Sequence, residues 1–111
     1  MVYAGLPQDV QVMAKYGVTK SGHDAIMMAV CVALRVEKKA LIGRGRPREL
    51  VEARHIAFYL MRKLTGLTLT QIGEIFNRDH STVIYGIETC EALMEVDIPF
   101  QRKVYRVKSL L

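Results

Sequence analysis

The sequence predicts an all-α fold, and three observations support that class. Apolar residues recur three and four positions apart along most of the chain, as expected for helices with one buried face. Prolines, glycines and capping residues stand between these stretches. No stretch alternates apolar and polar residues over the length of a strand. With 111 residues, half of them apolar, the chain is expected to form one compact helical bundle.

The chain begins with an extension of unknown role over residues 1–22. Within it, a helix is predicted over Pro7–Tyr16, because a proline stands at its start and Gly17 follows its end. The domain proper is expected over residues 23–111. Its first helix runs from about His23 to Val36, with Ile26 and Val30 on one face, and a short helical piece around Lys38–Ile42 follows.

A basic loop then interrupts the helices over residues 43–48, where two glycines, one proline and three arginines occur together. Pro47 favours the start of the next helix, which Thr65-Gly66 ends. The predicted buried stripe of that helix consists of Leu50, Ala53, Ala57, Leu60 and Leu64.

Two further helices form a predicted helix-turn-helix. Thr68 and Gln71 match the capping-box pattern at the start of a short helix, and Asp79 is a suitable N-cap for a longer one over about residues 79–95. Helices of about 8 and 15 residues joined by a turn of three to four residues are typical of this motif. Pro99 then begins a last basic helix, about Phe100–Lys108.

The first turn of the longer helix contains Asp79, His80, Ser81 and Thr82. In a helix-turn-helix these positions face the base edges of the DNA major groove, where such side chains can donate or accept hydrogen bonds. Each residue also has a purely structural interpretation as a cap, a solvated side chain or a packed histidine. A hydrolytic triad is not expected, because consecutive residues of one helical turn point in different directions. No enzyme activity is therefore predicted.

Charge is distributed unevenly along the chain. Residues 35–63 contain nine Lys and Arg against three Glu, a balance of +6 within a net charge of +5 for the whole chain. A basic block of this kind suits a polyanion such as nucleic acid, although a merely solvated charged face is the other interpretation.

Several other classes of function are not expected. No apolar run approaches the roughly 20 residues of a membrane span, and the first residues do not resemble a secretory signal, so a cytoplasmic, nucleoid-associated protein is predicted. Cys31 and Cys90 are expected to be buried reduced thiols, and no metal site is expected from local spacing. The chain contains no phosphate-binding loop, so neither a nucleotide cofactor nor a small-molecule substrate is predicted.

A family resemblance runs through the helix-turn-helix and the helix before it. The segments over residues 54–65 and 72–83, with Ile72-Gly73-Glu74 and Arg78-Asp79-His80-Ser81-Thr82 among them, resemble the C-terminal DNA-binding domain of the bacterial replication initiator DnaA. Together with the basic loop, the resemblance covers roughly residues 23–95. The resemblance implies a compact helical bundle with a helix-turn-helix, a fold of the Trp-repressor-like or DnaA C-terminal domain-like type.

The resemblance also implies roles for individual residues. The residues implied to read bases are Arg46 in the minor groove and Leu69, Thr70, Asp79, His80 and Ser81 in the major groove. The residues implied to hold phosphates are Arg44, Arg48, Arg54, Arg62, Lys63 and Thr82. The chain departs from the family pattern at Asn77, where many members have two glycines, and at Gly86, which costs about 1 kcal/mol of helix propensity relative to alanine. Glu88-Thr89 also replaces what is often a basic pair.

The predicted function is sequence-specific binding of double-stranded DNA at DnaA-box-like sites, in replication initiation or its regulation. One alternative is a stand-alone transcriptional or origin regulator with a different site. Another is a helical protein-interaction adaptor that contacts its partner through the acidic segment 88–97. The sequence predicts no membrane partner and leaves protein partners, the oligomeric state and the target sequence open.

Overall fold

Six α-helices and no strand make up residues 22–111, the part of the chain that this computed structural model describes. In chain order the helices are α1 (His23–Leu34), α2 (Lys38–Ile42), α3 (Arg48–Thr65), α4 (Leu69–Phe76), α5 (His80–Val96) and α6 (Ile98–Lys108). The all-α class is confirmed. The predicted helix over Pro7–Tyr16 lies outside the described residues. None of the described helices is long and apolar enough to cross a membrane.

Helix α3 lies at the centre of the fold and contacts α1, α2, α4 and α5. Because it has several neighbours, its buried side chains extend beyond the single predicted stripe. The apolar side chains of α3 that are at most 1% exposed are those of Ala53, Ile56, Ala57, Phe58, Leu60 and Met61. The prediction was wrong for Leu64, which is 48% exposed because it lies next to the end of the helix, beyond the core.

Helix α5 crosses α3 very closely at Gly86. A Cβ atom at Gly86 would lie 2.6 Å from Cδ2 of Phe58 and 2.8 Å from Cδ2 of His55. The Phe58 ring in turn meets the Phe76 ring edge to face, with centroids 4.9 Å apart, and so connects α3 to α4. The glycine that weakens α5 as a helix therefore allows the backbone of α5 to approach α3.

Most helices begin and end close to the residues that local sequence signals predict. The N–H of Gln71 donates to Oγ1 of Thr68 at 3.1 Å, and the N–H of Thr68 donates to Oε1 of Gln71 at 2.9 Å, which confirms the capping box. Gly66 ends α3 in the left-handed region, with φ 74°. Helix α1 ends at Leu34, before the predicted Val36, because Arg35 adopts a left-handed conformation with φ 57°.

Helix α6 packs against α1 and α5. The N–H of Phe100 donates to the Asp97 carboxylate at 3.0 Å, which caps the start of α6. Nearer its other end, Arg106 donates to the carbonyl of Ala33 at 2.6 Å and so ties α6 to α1.

The two cysteines are free thiols in different surroundings. Cys90 is fully buried, and this burial raises the pKa of its thiol to about 12. Cys31 is only half-buried. The prediction of two buried reduced thiols is therefore confirmed for Cys90 and holds only partly for Cys31.

Candidate nucleic-acid interface

Three residues, 77–79, join α4 to α5 and complete the predicted helix-turn-helix. Asn77 adopts the left-handed conformation, with φ 55° and ψ 47°, which asparagine tolerates better than most residues that carry a side chain. The N–H of Arg78 then donates to the carbonyl of Gly73 at 2.8 Å. The chain therefore reverses within a turn of the predicted length.

Gly73 makes this tight turn possible. A Cβ atom at Gly73 would lie 2.4 Å from the carbonyl oxygen of Arg78. Because the atom in its way belongs to the backbone, no side-chain rotation would relieve the contact. The position of α5 relative to α4 thus depends on the absence of a side chain at this residue.

The first turn of α5 presents its polar side chains to solvent. Asp79, His80, Ser81 and Thr82 are all exposed, while Val83 behind them is fully buried. The turn can therefore offer a carboxylate, an imidazole and two hydroxyl groups to a ligand without disturbing the core.

The Asp79 carboxylate does not cap α5 as predicted. Asp79 occupies the N-cap position, but its side chain accepts no backbone hydrogen bond there. Instead the Ser81 hydroxyl donates to one carboxylate oxygen at 2.9 Å, and Nδ1 of His80 lies 3.2 Å from the other. The hydrogen bond from Ser81 is the main reason that the pKa of Asp79 is lowered. The three side chains form a polar cluster at the exposed start of α5.

The basic loop connects α2 to α3 and carries two exposed arginines, Arg44 and Arg46. Arg48, predicted at the end of this loop, is the first residue of α3 and is also exposed. All three guanidinium groups can therefore face a ligand, although Nε of Arg48 also lies 3.3 Å from the Glu52 carboxylate.

The predicted phosphate contact Arg54 lies in α3 with its guanidinium engaged by backbone carbonyls. It is 5% exposed, and its guanidinium donates to backbone carbonyls of α2 and of the basic loop. The acceptors are the carbonyls of Leu41 at 2.7 Å, Gly45 at 2.7 Å, Gly43 at 2.9 Å and Ala40 at 3.1 Å. Arg54 consequently shapes the loop from beneath.

Arg78 is a residue of this surface that the sequence did not single out. Its guanidinium donates to the carbonyls of Phe76 at 2.8 Å, Ile42 at 3.1 Å and Gly43 at 2.6 Å. These bonds tie the turn of the helix-turn-helix to the start of the basic loop. The only sequence signal was the position of Arg78 inside the family-like segment, since a bond across more than thirty residues leaves no local pattern.

Four other predicted site residues lie where α3 ends and α4 begins. Arg62 and Lys63 are exposed near the end of α3; Arg62 donates to the carbonyl of Leu67 at 2.8 Å, and Nζ of Lys63 lies 5.7 Å from the centre of the Tyr59 ring. At the start of α4, Thr70 is exposed and Leu69 is half-buried.

A cleft of about 650 Å³ lies between the basic loop and the start of α5. Arg44 and Arg46 line it from the loop, Arg54 from α3 and Thr82 from α5. The remaining predicted site residues do not line it. The structure thus brings the loop arginines and one residue of the helix start to a shared cleft.

The fold and this surface define a helix-turn-helix domain, in which the exposed polar start of one helix lies beside an arginine-rich loop. The family model described as "Bacterial dnaA protein helix-turn-helix" matches residues 23–90. The chain therefore belongs to the bacterial DnaA helix-turn-helix family, and the resemblance in the sequence is confirmed.

Similar curated proteins include chromosomal replication initiator proteins DnaA from three bacteria. The protein from Oleidesulfovibrio alaskensis is 44% identical over 88 residues. Those from Bacteroides thetaiotaomicron and Thermomicrobium roseum are 39% and 38% identical over 89 residues. Each match covers 79% of this chain and 19% of the relative, so the chain spans about one fifth of the length of these relatives.

Proposed function

We propose that residues 23–111 bind double-stranded DNA in a sequence-specific manner at DnaA-box-like sites, and that the protein acts on the chromosome in replication initiation or its regulation. The observation that carries this proposal is the arrangement of the exposed first turn of α5 and the arginine-rich loop on either side of one cleft. Membership of the DnaA helix-turn-helix family supports it.

The two sides of the cleft suit the two grooves of DNA. The start of α5 would enter the major groove, where Asp79, His80 and Ser81 meet base edges. Thr70 and Leu69, at the start of α4, would approach the same groove. Arg46 would enter the minor groove, since an arginine on an exposed loop responds to the negative potential of a narrow groove.

Phosphate contacts would come from the exposed residues Arg44, Arg48, Arg62, Lys63 and Thr82. Arg54 is left out because its guanidinium is engaged with backbone carbonyls. If the four cations each neutralise one phosphate, the logarithm of the binding constant should fall with the logarithm of salt concentration with a slope of roughly −4, about −0.9 for each contact.

The test begins with selection of a binding site from random duplexes, followed by fluorescence anisotropy on the selected site and a scrambled duplex. His80→Ala should lose discrimination between the two duplexes. Arg44→Ala should weaken binding to both and flatten the salt slope by about 0.9. Arg102→Ala, which removes an exposed arginine from α6, is the matched control and should change neither property.

Equal affinity of the wild-type protein for both duplexes at physiological salt would contradict sequence-specific binding. A selected site unlike a DnaA box would support the alternative of a regulator with its own target. Recovery of a DnaA box would support the proposal made here.

A further inference from the structure

The cleft between the basic loop and α5 carries positive charge that no carboxylate of residues 22–111 neutralises. Four guanidinium groups line it, those of Arg44, Arg46, Arg54 and Arg78. Among the described residues, no aspartate or glutamate lines the cleft, and none of these four arginines forms an ion pair. An anion in the cleft would therefore meet the donors of Arg44 and Arg46 without displacing a carboxylate.

The arginines also influence one another. Burial lowers the pKa of Arg78, and the neighbouring charge of Arg44 lowers it further. Burial also lowers the pKa of Arg54, and the neighbouring charge of Arg78 lowers it further. Like charges held together in a partly buried cleft repel, so a bound anion would relieve this repulsion.

Two neutral groups of α5 complete the walls of the cleft. Thr82 and Tyr85 are three residues apart and therefore lie on the same side of the helix. Tyr85 is 64% exposed. Its ring is held edge-on by His55, with centroids 5.9 Å apart and an angle of 82° between the planes. Because hydroxyl groups donate to phosphate oxygens, an exposed tyrosine supported in this way suits a phosphate ligand.

We propose that this cleft binds one phosphodiester group of the DNA backbone, with Tyr85 as a contact to it. The inference rests on the proposed function, which places the basic loop in the minor groove and α5 in the major groove. The sugar-phosphate strand that separates those grooves must then pass between the two elements, and the cleft is the space between them. The contact fixes the register of the domain on DNA and is independent of base sequence.

Tyr85→Phe tests this inference, because it removes only the hydroxyl and keeps the ring that meets His55. Tyr105→Phe is the matched control, since Tyr105 is a 71% exposed tyrosine on α6 that does not line the cleft. Tyr85→Phe should weaken binding about tenfold, to the selected and the scrambled duplex alike, as expected for a hydrogen bond to a charged group. Tyr105→Phe should bind as the wild-type protein does.

A second measurement identifies the phosphate. The selected duplex is prepared with one phosphate at a time replaced by an uncharged methylphosphonate. At one position, on the strand between the two grooves, the replacement should weaken wild-type binding clearly more than it weakens binding by Tyr85→Phe. At other positions the two proteins should lose affinity equally.

Equal binding by Tyr85→Phe and Tyr105→Phe would overturn the inference, as would an identical methylphosphonate profile for wild type and Tyr85→Phe. The outcomes separate the inference from the proposed function. Wild-type binding without sequence preference, but still weakened by Tyr85→Phe, would refute sequence-specific binding and support the phosphate site.

Discussion

Replacement of Arg54 by methionine should loosen the basic loop from below. Methionine keeps an unbranched apolar chain of similar length in the core but removes the guanidinium. Four hydrogen bonds would be lost, to the carbonyls of Ala40, Leu41, Gly43 and Gly45. Ala40 and Leu41 lie in the five-residue helix α2, whose last carbonyls have no partner further along the helix.

The size of the effect follows from how deeply these groups lie. A buried acceptor that loses its hydrogen-bond donor typically costs about 1–3 kcal/mol. Leu41 is fully buried, whereas Gly43 is half-buried and Gly45 is exposed, so water can replace part of the lost bonding. Because several carbonyls lose their donor at once, we expect the free energy of unfolding to fall by about 3 kcal/mol, at the high end of that range. Small domains are typically stable by about 5–15 kcal/mol, so the variant should still fold.

Urea denaturation measures this change, and Arg48→Met provides the matched control from the same helix. The Arg48 side chain is 84% exposed and forms only a pair with Glu52 four residues later. Such exposed pairs contribute about 0.3–0.5 kcal/mol. The control should therefore unfold almost as the wild-type protein does.

A loss below about 1 kcal/mol in Arg54→Met would refute the reasoning, because it would mean that water satisfies the four carbonyls as well as the guanidinium does. The same conclusion would follow if the two methionine variants were equally stable. Hydrogen exchange gives an independent check, since the amide of Gly43, which donates to the carbonyl of Lys39 at 3.0 Å, should exchange faster only in Arg54→Met.

Three further predictions concern the packing, the polar cluster and the thiols. Gly86→Ala should gain about 1 kcal/mol of helix propensity but lose about 1–3 kcal/mol through the clash with α3; a Tm above that of the wild type would contradict the clash. Ser81→Ala should raise the pKa of Asp79, measured by NMR titration, because it removes the main cause of its lowering. Because the pKa of Asp79 is depressed in the folded state, the stability that it contributes is present above the unfolded-state pKa and is lost as pH falls through the folded-state pKa. The Ser81→Ala variant should lose less stability over this pH range. An unchanged pKa of Asp79 in the variant would exclude the role of Ser81. Iodoacetamide at pH 8 should label half-buried Cys31 well before Cys90, whose thiol pKa is about 12, and equal labelling rates would contradict the burial of Cys90.

Local signals in the sequence were sufficient to place the helices. The capping box at Thr68, the left-handed stop at Gly66 and the proline at the start of α6 act within one helical turn of the residues they affect. Apolar spacing likewise predicted that Ala53, Ala57 and Leu60 of α3 face the core, where all three are buried. The resemblance to the DnaA family covered the same segment that the family model matches.

The sequence by itself therefore determined the all-α class, the order of the helices and the exposed polar start of α5, because short-range propensity and spacing control these features. Only the tertiary structure decided which arginines are free. Arg54 and Arg78 look no different from Arg44 in the sequence, but they donate to carbonyls of the basic loop across nine or more residues. Such bonds arise when helices pack, and they leave Arg44 and Arg46 facing the cleft while Arg54 and Arg78 hold its walls in place.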